Sequence, residues 1–481
     1  MNDLKFHRGP AFAALVAGAF IGIMEQTVVV TALPRIGRAF PDSGVWLPWL
    51  LAASLTGAAL AMPLGGYLAD AWGAKRTYAL GVSLFAVGSL CSGLVGLALP
   101  AEIGVLLAAR AVQGLGGGVF APVALKVASA FFRGEVRTQA VGVAAAVGPL
   151  ATIVGPLLGG YLVDNFAWQS IFLVNVPPML LVGLLSLWLL PELPSSRGRR
   201  SDPLGMVLLA SAILAIMLAL TLAGHDGLDS AGALSLGLAA VTLALLLVVM
   251  ERRQEAPLLD GRVIGGAGTA AIFPLAFVQG VVAYSTVYFV SLYAQTHPSI
   301  QATATQAGLV LVAGAVGQMV VSPLAGRVVP RLGYRQVVAV GTPVSASPLL
   351  VLATEPPALL VVSVLIFVSR AGSALIRVPL AAAGLEAAEE QAGLISGLRQ
   401  LSDVLGGVVG PVAFAALLGR GRYVPGGFGW VFASVGLLLL ASLALAVRLP
   451  QMELQIPGSR ENAAAGKRVE PTDGGRESLR R

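Results

Sequence analysis

The chain has 481 residues, 56% of them hydrophobic and 11% charged, with a net charge of +7 and a mean hydropathy of +0.84. Soluble domains carry about a quarter charged residues, so this composition excludes a soluble globular protein and describes a polytopic membrane protein. The basic excess sits in short segments between apolar runs, which argues against a nucleic-acid partner, and the single cysteine, Cys91, excludes an internal disulfide or a thiolate metal site.

The N-terminal MNDLKFHRGP is short and basic, but the run behind it exceeds a signal-peptide core and lacks a clear cleavage site. It is read as a retained first helix. Apolar runs of about 20 residues then recur near 11–33, 45–68, 77–98, 101–125, 138–162, 168–190, 203–223, 231–250, 267–295, 304–326, 336–353, 357–380, 391–418 and 427–449. These predict an all-α membrane protein of fourteen transmembrane helices. Residues 1–192 form a first six-helix bundle, 193–264 an inserted helix pair with its connectors, and 265–450 a second six-helix bundle. Residues 451–481 form a polar, Gly-rich cytoplasmic tail predicted to be disordered.

With an even number of spans, Lys75, Arg76, Lys126, Arg133, Arg197, Arg252, Arg327, Arg331 and Arg335 share one side. Arg35, Arg38, Arg420 and Arg422 fall on the other. The positive-inside rule then puts both termini in the cytoplasm. The halves echo each other: GGYLADAWGAKR (Gly65–Arg76) follows the second run and GRVVPRLGYR (Gly326–Arg335) the tenth, both basic, glycine-bounded turns. Six helices, a pair and six helices is the signature of a duplicated transporter. The inserted pair has no intramembrane charge and is read as lipid-facing packing.

MEQTVVVTALP (Met24–Pro34) places Glu25, with Gln26 and Thr27, inside the first apolar run. A carboxylate there costs about 2–4 kcal/mol on insertion scales, so it points to proton or substrate duty, or else to a structural pair with an arginine. Glu25 lies nine residues from Pro34, and Arg110 nine residues from Ala101, at ends facing the same side. At about 1.5 Å per residue both lie about 13 Å deep, so a Glu25–Arg110 interaction is geometrically allowed. In the second half Arg399 and Asp403 are one helical turn apart, and Arg370 sits at comparable depth on the preceding run. They are read as buried charge partners, with Asp403 a second candidate proton site. Gln279, Tyr284, Gln318 and Gln400, with Gln26 and Thr27, are the candidate cavity residues.

Several of these segments together resemble the major facilitator superfamily, and more closely its fourteen-helix drug:proton antiporter branch. GYLADAWGAK (Gly66–Lys75) resembles the family's G-x-L-a-D-r-x-G-r-k loop, with Gly66, Asp70, Gly73 and Lys75 in place, Arg76 following, and Ala71 and Ala74 where basic residues are expected. AARAVQGLGGG (Ala108–Gly118) is similar to the fourth-helix R-x-x-q-G signature, and WQSIFLVNVP (Trp168–Pro177) to W-R-x-I-F-x-x-N-x-P. ATIVGPLLGG (Ala151–Gly160) resembles the antiporter signature that contributes Gly155, Pro156, Gly159 and Gly160. MEQTVVVTALP resembles L-D-x-T-x-V-N-V-A-L-P, with Glu25 for Asp and Val30 for Asn. An arginine is expected in the family where Asp403 falls.

The resemblance implies two six-helix bundles around a central cavity, with a cytoplasmic latch in which Asp70 caps the helix starting near Gln391. The fifth-helix glycines would favour exchange over uniport. The expected function is proton-coupled export of hydrophobic, cationic drugs across the inner membrane by alternating access, with Glu25, Asp403 and Arg110 coupling protons to transport. The expected partners are substrate, protons and lipid, and the expected unit is a monomer without cofactor or metal. An exporter of a lipid or specific metabolite is the alternative within transport, and a non-transporting sensor or scaffold the alternative outside it. His7, His225 and His297 lie in separate segments, which argues against an enzyme.

Overall fold

The computed structural model describes residues 8–192, 203–227, 229–253, 269–356, 358–386, 392–417 and 427–449. A chain in hydrocarbon must satisfy its backbone groups within each span, and these apolar runs accordingly form helices. In the first half they are α1 (Arg8–Ala39), α2 (Trp49–Ala71), α3 (Ala74–Leu94), α4 (Ile103–Gly118), α5 (Phe120–Phe131), α6 (Gly134–Asn165), α7 (Ser170–Leu173) and α8 (Val176–Leu189). Then come α9 (Pro203–Asp226) and α10 (Ala231–Glu251). The second half holds α11 (Ile272–Thr296), α12 (Ala304–Leu332), α13 (Tyr334–Leu352), α14 (Leu359–Glu386), α15 (Ala392–Leu417), α16 (Gly427–Ala441) and α17 (Leu443–Ala446). Among the described residues thirteen helices are long and apolar enough to cross a membrane, α4 with α5, α7 with α8 and α16 with α17 each counting once; α9 adds a shorter apolar stretch, Val207–Ala223. The expected tail, 451–481, lies outside the described residues.

The two halves repeat one packing pattern. α1 lies on α6, α2 and α3 on α4, and α3 on α8; α11 lies on α15, α12 and α13 on α14, and α13 on α16. The turns that end α2 and α12 repeat as well. Gly73 and Gly333 sit at φ +96 and +79, a conformation side chains rarely adopt, and each reverses the chain into the next helix. Across the halves, α6 packs on α12 and α2 on α15, contacts that exchange under the same duplication. The glycine run of α4 serves this packing. Gly114 and Gly118 face the backbone of α2 at Ser54 and Ala58, and Gly116 faces α3 at Gly81 and Phe85.

Two departures from the sequence reading matter later. α14 runs on to Glu386, well past the apolar stretch that suggested an end near 380. The inserted pair is also not simply lipid-facing. α10 exposes Leu234, Leu238, Val241 and Leu245, but α9 packs against α2 and α15, one helix from each half. The Trp49 indole N–H donates to Thr221 Oγ1 at 2.8 Å, and Met217 is fully buried beside Thr56.

Candidate functional site

Glu25 and Arg110 meet in the middle of the first half. Arg110 Nη1 donates directly to Glu25 Oε1, and the two side chains are 0% and 1% exposed for Arg110 and Glu25 respectively. Such depth tolerates charge only in compensated pairs. The guanidinium is held on three further sides. Its Nε donates to Leu50 O at 2.9 Å, Nη1 also reaches Gln113 Oε1 at 2.7 Å, and the Phe172 ring lies 5.5 Å from its centre. Gln113 Nε2 in turn donates to Ser89 Oγ at 3.2 Å, and Ser89 to Phe172 O at 2.8 Å. One ion pair thus connects α1, α2, α3, α4 and α7. The Glu25–Arg110 interaction that the sequence allowed is present, although α1 runs on past Pro34 to Ala39 and α4 begins at Ile103, so the equal depths counted from Pro34 and Ala101 are not depths from the helix ends. The role of Gln113 was not singled out, although its spacing one turn after Arg110 puts it on the same helix face.

The second half carries a different pair from the one expected. Asp403 Oδ2 accepts from Arg377 Nη2, not from Arg370 or Arg399. The extension of α14 to Glu386 is the reason: it sinks Arg377 to about 13 Å from that helix end, near the depth of Asp403 on α15. Arg399 is half-buried one turn before Asp403, and Arg370 is half-buried two turns before Arg377. Gln279 does not face a cavity; it is buried between helices, and its Oε1 accepts from Ser373 Oγ at 2.9 Å. Gln400 is exposed and is not among the residues that line the cavity.

A cavity of about 250 Å³ lies between the halves. α1 contributes Ile23, Gln26, Thr27 and Val30, α6 contributes Pro149 and Thr152, and α11 contributes Tyr284; Gln318, Met319 and Ser322 come from α12, and Arg370 and Arg377 from α14. Gln26, Thr27, Tyr284 and Gln318 are therefore brought together as the sequence suggested. Glu25 is not: Gln26 and Thr27 beside it face the cavity, while its own carboxylate turns away to Arg110. Pro156 has no N–H for the Thr152 carbonyl, so α6 lacks one backbone hydrogen bond beside the cavity wall.

The cavity is closed at the end where α6 finishes and α12 starts. Asp164 accepts from the first backbone amides of α12, Ala304 N at 3.0 Å and Thr305 N at 2.8 Å. A carboxylate at a helix N-terminus satisfies free donors and meets the positive end of the helix dipole. The glycines of the antiporter-like segment supply the close approach. A Cβ on Gly160 would fall 2.6 Å from Thr305 Cα, and the carbonyl of Pro156 packs against Gly308. Gly155 and Gly159 instead face α1, at Thr27 and Val28. Ser291 Oγ donating to Val30 O at 3.0 Å and Gln295 to Thr31 O at 3.2 Å close the same end between α11 and α1. Asp164 was not singled out in the sequence, because an acid at a helix end is ordinary.

At the opposite end Asp70 pairs within its own half, with Lys126 Nζ at 2.6 Å, and Lys126 also donates to Ala69 O. Gln391, the other side of the expected latch, lies outside the described residues. Gly66 and Gly73 flank the turn, Lys75 is half-buried, and Arg76 is exposed, with Glu192 at 3.8 Å. Among the described residues no group of three or more His, Cys, Asp or Glu side chains is placed to hold a metal ion.

Comparison with known proteins agrees with this architecture. The Major Facilitator Superfamily family model matches residues 15–223 and 272–480. The chain is similar to the Multidrug resistance protein Stp of Mycobacterium tuberculosis (strain CDC 1551 / Oshkosh), 30% identical over 404 residues, covering 83% of this chain and 74% of that protein. It is 24% identical to the Multidrug transporter protein MdtP of Bacillus subtilis (strain 168), covering 84% and 74%. The fold is that of the solved D-xylose-proton symporter, with a TM-score of 0.66 at 14% identity, covering 92% of this chain and 98% of the other.

Proposed function

The chain belongs to the Major Facilitator Superfamily and is a multi-pass membrane transporter, and from that premise we propose that it exports apolar drugs in exchange for protons, as one of the superfamily's fourteen-helix drug:proton antiporters. The observation that carries the reading is the buried Glu25–Arg110 pair, one residue away from the cavity wall formed by Gln26. A proton taken up by the Glu25 carboxylate removes one charge of the pair and leaves Arg110 uncompensated among α2, α3 and α4. That changes the relative energy of two arrangements of the halves, which is what coupling requires. Releasing the proton to the other side restores the pair and resets the cycle.

The names of the relatives support drug export, and the basic residues of the connecting segments support a cytoplasmic-membrane protein with both termini inside. In that orientation the closed end, at Asp164, faces outward, and the protein is poised to receive substrate from the cytoplasm. The cavity lies within one chain, which supports a monomer as the working unit. The alternative of a lipid exporter draws on one observation: Met319, which lines the cavity, is 43% exposed and offers apolar surface that an acyl chain could use.

The test is efflux of neutral, cationic and anionic apolar dyes from cells lacking their own drug pumps, with and without a protonophore. Gradient-dependent efflux of at least one dye supports the reading, and none, with expression verified, refutes it. In the same assay Asp403→Asn should leave Arg377 without its counter-charge. We expect it to lower efflux by about tenfold or more while keeping the pH dependence carried by Glu25; a pH-independent residual rate would instead move the proton site to Asp403.

A further inference from the structure

Among the described residues the cavity wall holds two arginines and no carboxylate. The two arginines are not equivalent. Arg377 is neutralised by Asp403. Among the described residues Arg370 has no such ion pair, and its Nη1 is buried without a hydrogen-bond partner. Glu25, next to the cavity residue Gln26, is committed to Arg110, and Arg399, one turn before Asp403, adds positive rather than negative charge to the same region.

Resting on the transport reading above, we propose that the transported molecule carries an anionic group — a carboxylate, sulfonate or phosphate — on an apolar body, and that Arg370 receives that group. Arg370 is half-buried on the cavity wall and has one N–H without an acceptor, and a bound anion supplies both the missing acceptor and the missing counter-charge. Its planar fork suits two oxygens at once, and such charge-assisted bonds are the strong ones. The remaining wall fits the rest of the molecule. Gln26 and Gln318 offer amides, while Ile23, Val30 and Met319 offer apolar surface. A volume of about 250 Å³ holds a small amphiphile. A cationic substrate would enter a cavity of its own sign and leave Arg370 unsatisfied. The expectation of a cation rested on Glu25 facing substrate, and Glu25 faces Arg110.

The experiment compares fluorescein and rhodamine 6G, one xanthene body with opposite charge, binding to the purified full chain in phosphatidylcholine nanodiscs by fluorescence polarisation. Wild type should bind fluorescein at least tenfold more tightly. Arg370→Gln should weaken fluorescein by about 10- to 100-fold without weakening rhodamine, and Arg370→Lys should retain part of the anion preference. Equal or tighter rhodamine binding by wild type overturns the proposal, as does unchanged fluorescein affinity in Arg370→Gln. If Arg370→Gln fails to elute as a monodisperse protein, the wild-type comparison and Arg370→Lys decide, and absence of the fluorescein preference in either folded protein overturns the proposal. Displacement of fluorescein by phosphatidylglycerol supports a lipid as source of the anion, and displacement by soluble aryl carboxylates alone supports a drug-like one. If neither dye is moved by a proton gradient in proteoliposomes, the export reading fails, whereas the binding preference and its loss in Arg370→Gln still establish the anion seat.

Discussion

Replacing Arg110 with alanine is expected to destabilise the protein by about 3–5 kcal/mol, because Glu25 is left as an uncompensated charge in a fully buried site. The loss spreads beyond one ion pair. Leu50 O and Gln113 Oε1 lose their donor, and Phe172 loses the cation beside its ring. Glu25→Gln should behave differently: glutamine keeps an acceptor for Arg110 Nη1 and nearly the same shape, so the fold should survive while the site can no longer take up or release a proton. The double variant Glu25→Gln, Arg110→Gln removes both charges and should recover much of the stability lost in Arg110→Ala without recovering transport. Thermal unfolding followed by tryptophan fluorescence, beside gradient-driven efflux, separates the three. Equal melting temperatures for wild type and Arg110→Ala would show that the pair contributes nothing to stability, and full pH-dependent transport by Glu25→Gln would remove Glu25 from the coupling step.

A second large effect is expected at the closed end. Asp164→Ala removes an acceptor of two backbone amides at the start of α12, an interaction worth up to about 2 kcal/mol in partly buried geometry. That energy exists only while α6 and α12 touch, so its loss shifts the balance toward separation of this end by up to about 30-fold. Gly160→Val should go further. A side chain there meets the backbone of Thr305, which has no flexible end to yield, so the closed arrangement becomes inaccessible and transport stops. Spin labels at Tyr161 and Gln306, in a chain with Cys91 replaced by serine, would report the change as a longer distance distribution. An unaltered distribution in Gly160→Val would mean that this contact does not hold the end shut.

The sequence showed the fold so fully because each membrane span must be long and apolar, and a buried charge within one stands out. Glu25 and Arg110 stood out for that reason, and an interaction between them was among the arrangements the sequence allowed. Arg377 was not singled out because a run ending near 380 leaves it only three residues from the helix end, whereas LAAAGLE continues α14 to Glu386 and carries Arg377 deeper. Asp164 was missed because its partners are backbone amides, which any residues supply; the Thr303–Gln306 capping box marks where α12 begins but not what docks on it. The place of α9 left no mark either. Its packing against two other helices uses the same leucines, alanines and methionines that would face lipid.

That place has a mechanical consequence. α9 touches α2 from one half and α15 from the other, so it works as a roller in the gap between two moving bodies. When the halves turn, it must slip against at least one of them, and few directional bonds, chiefly Trp49 to Thr221, resist the slip. Its other flank is carried by α10, which faces the bilayer. The lubricant of this bearing is therefore lipid, and turnover should slow as the membrane stiffens even when every charge in the protein is in order.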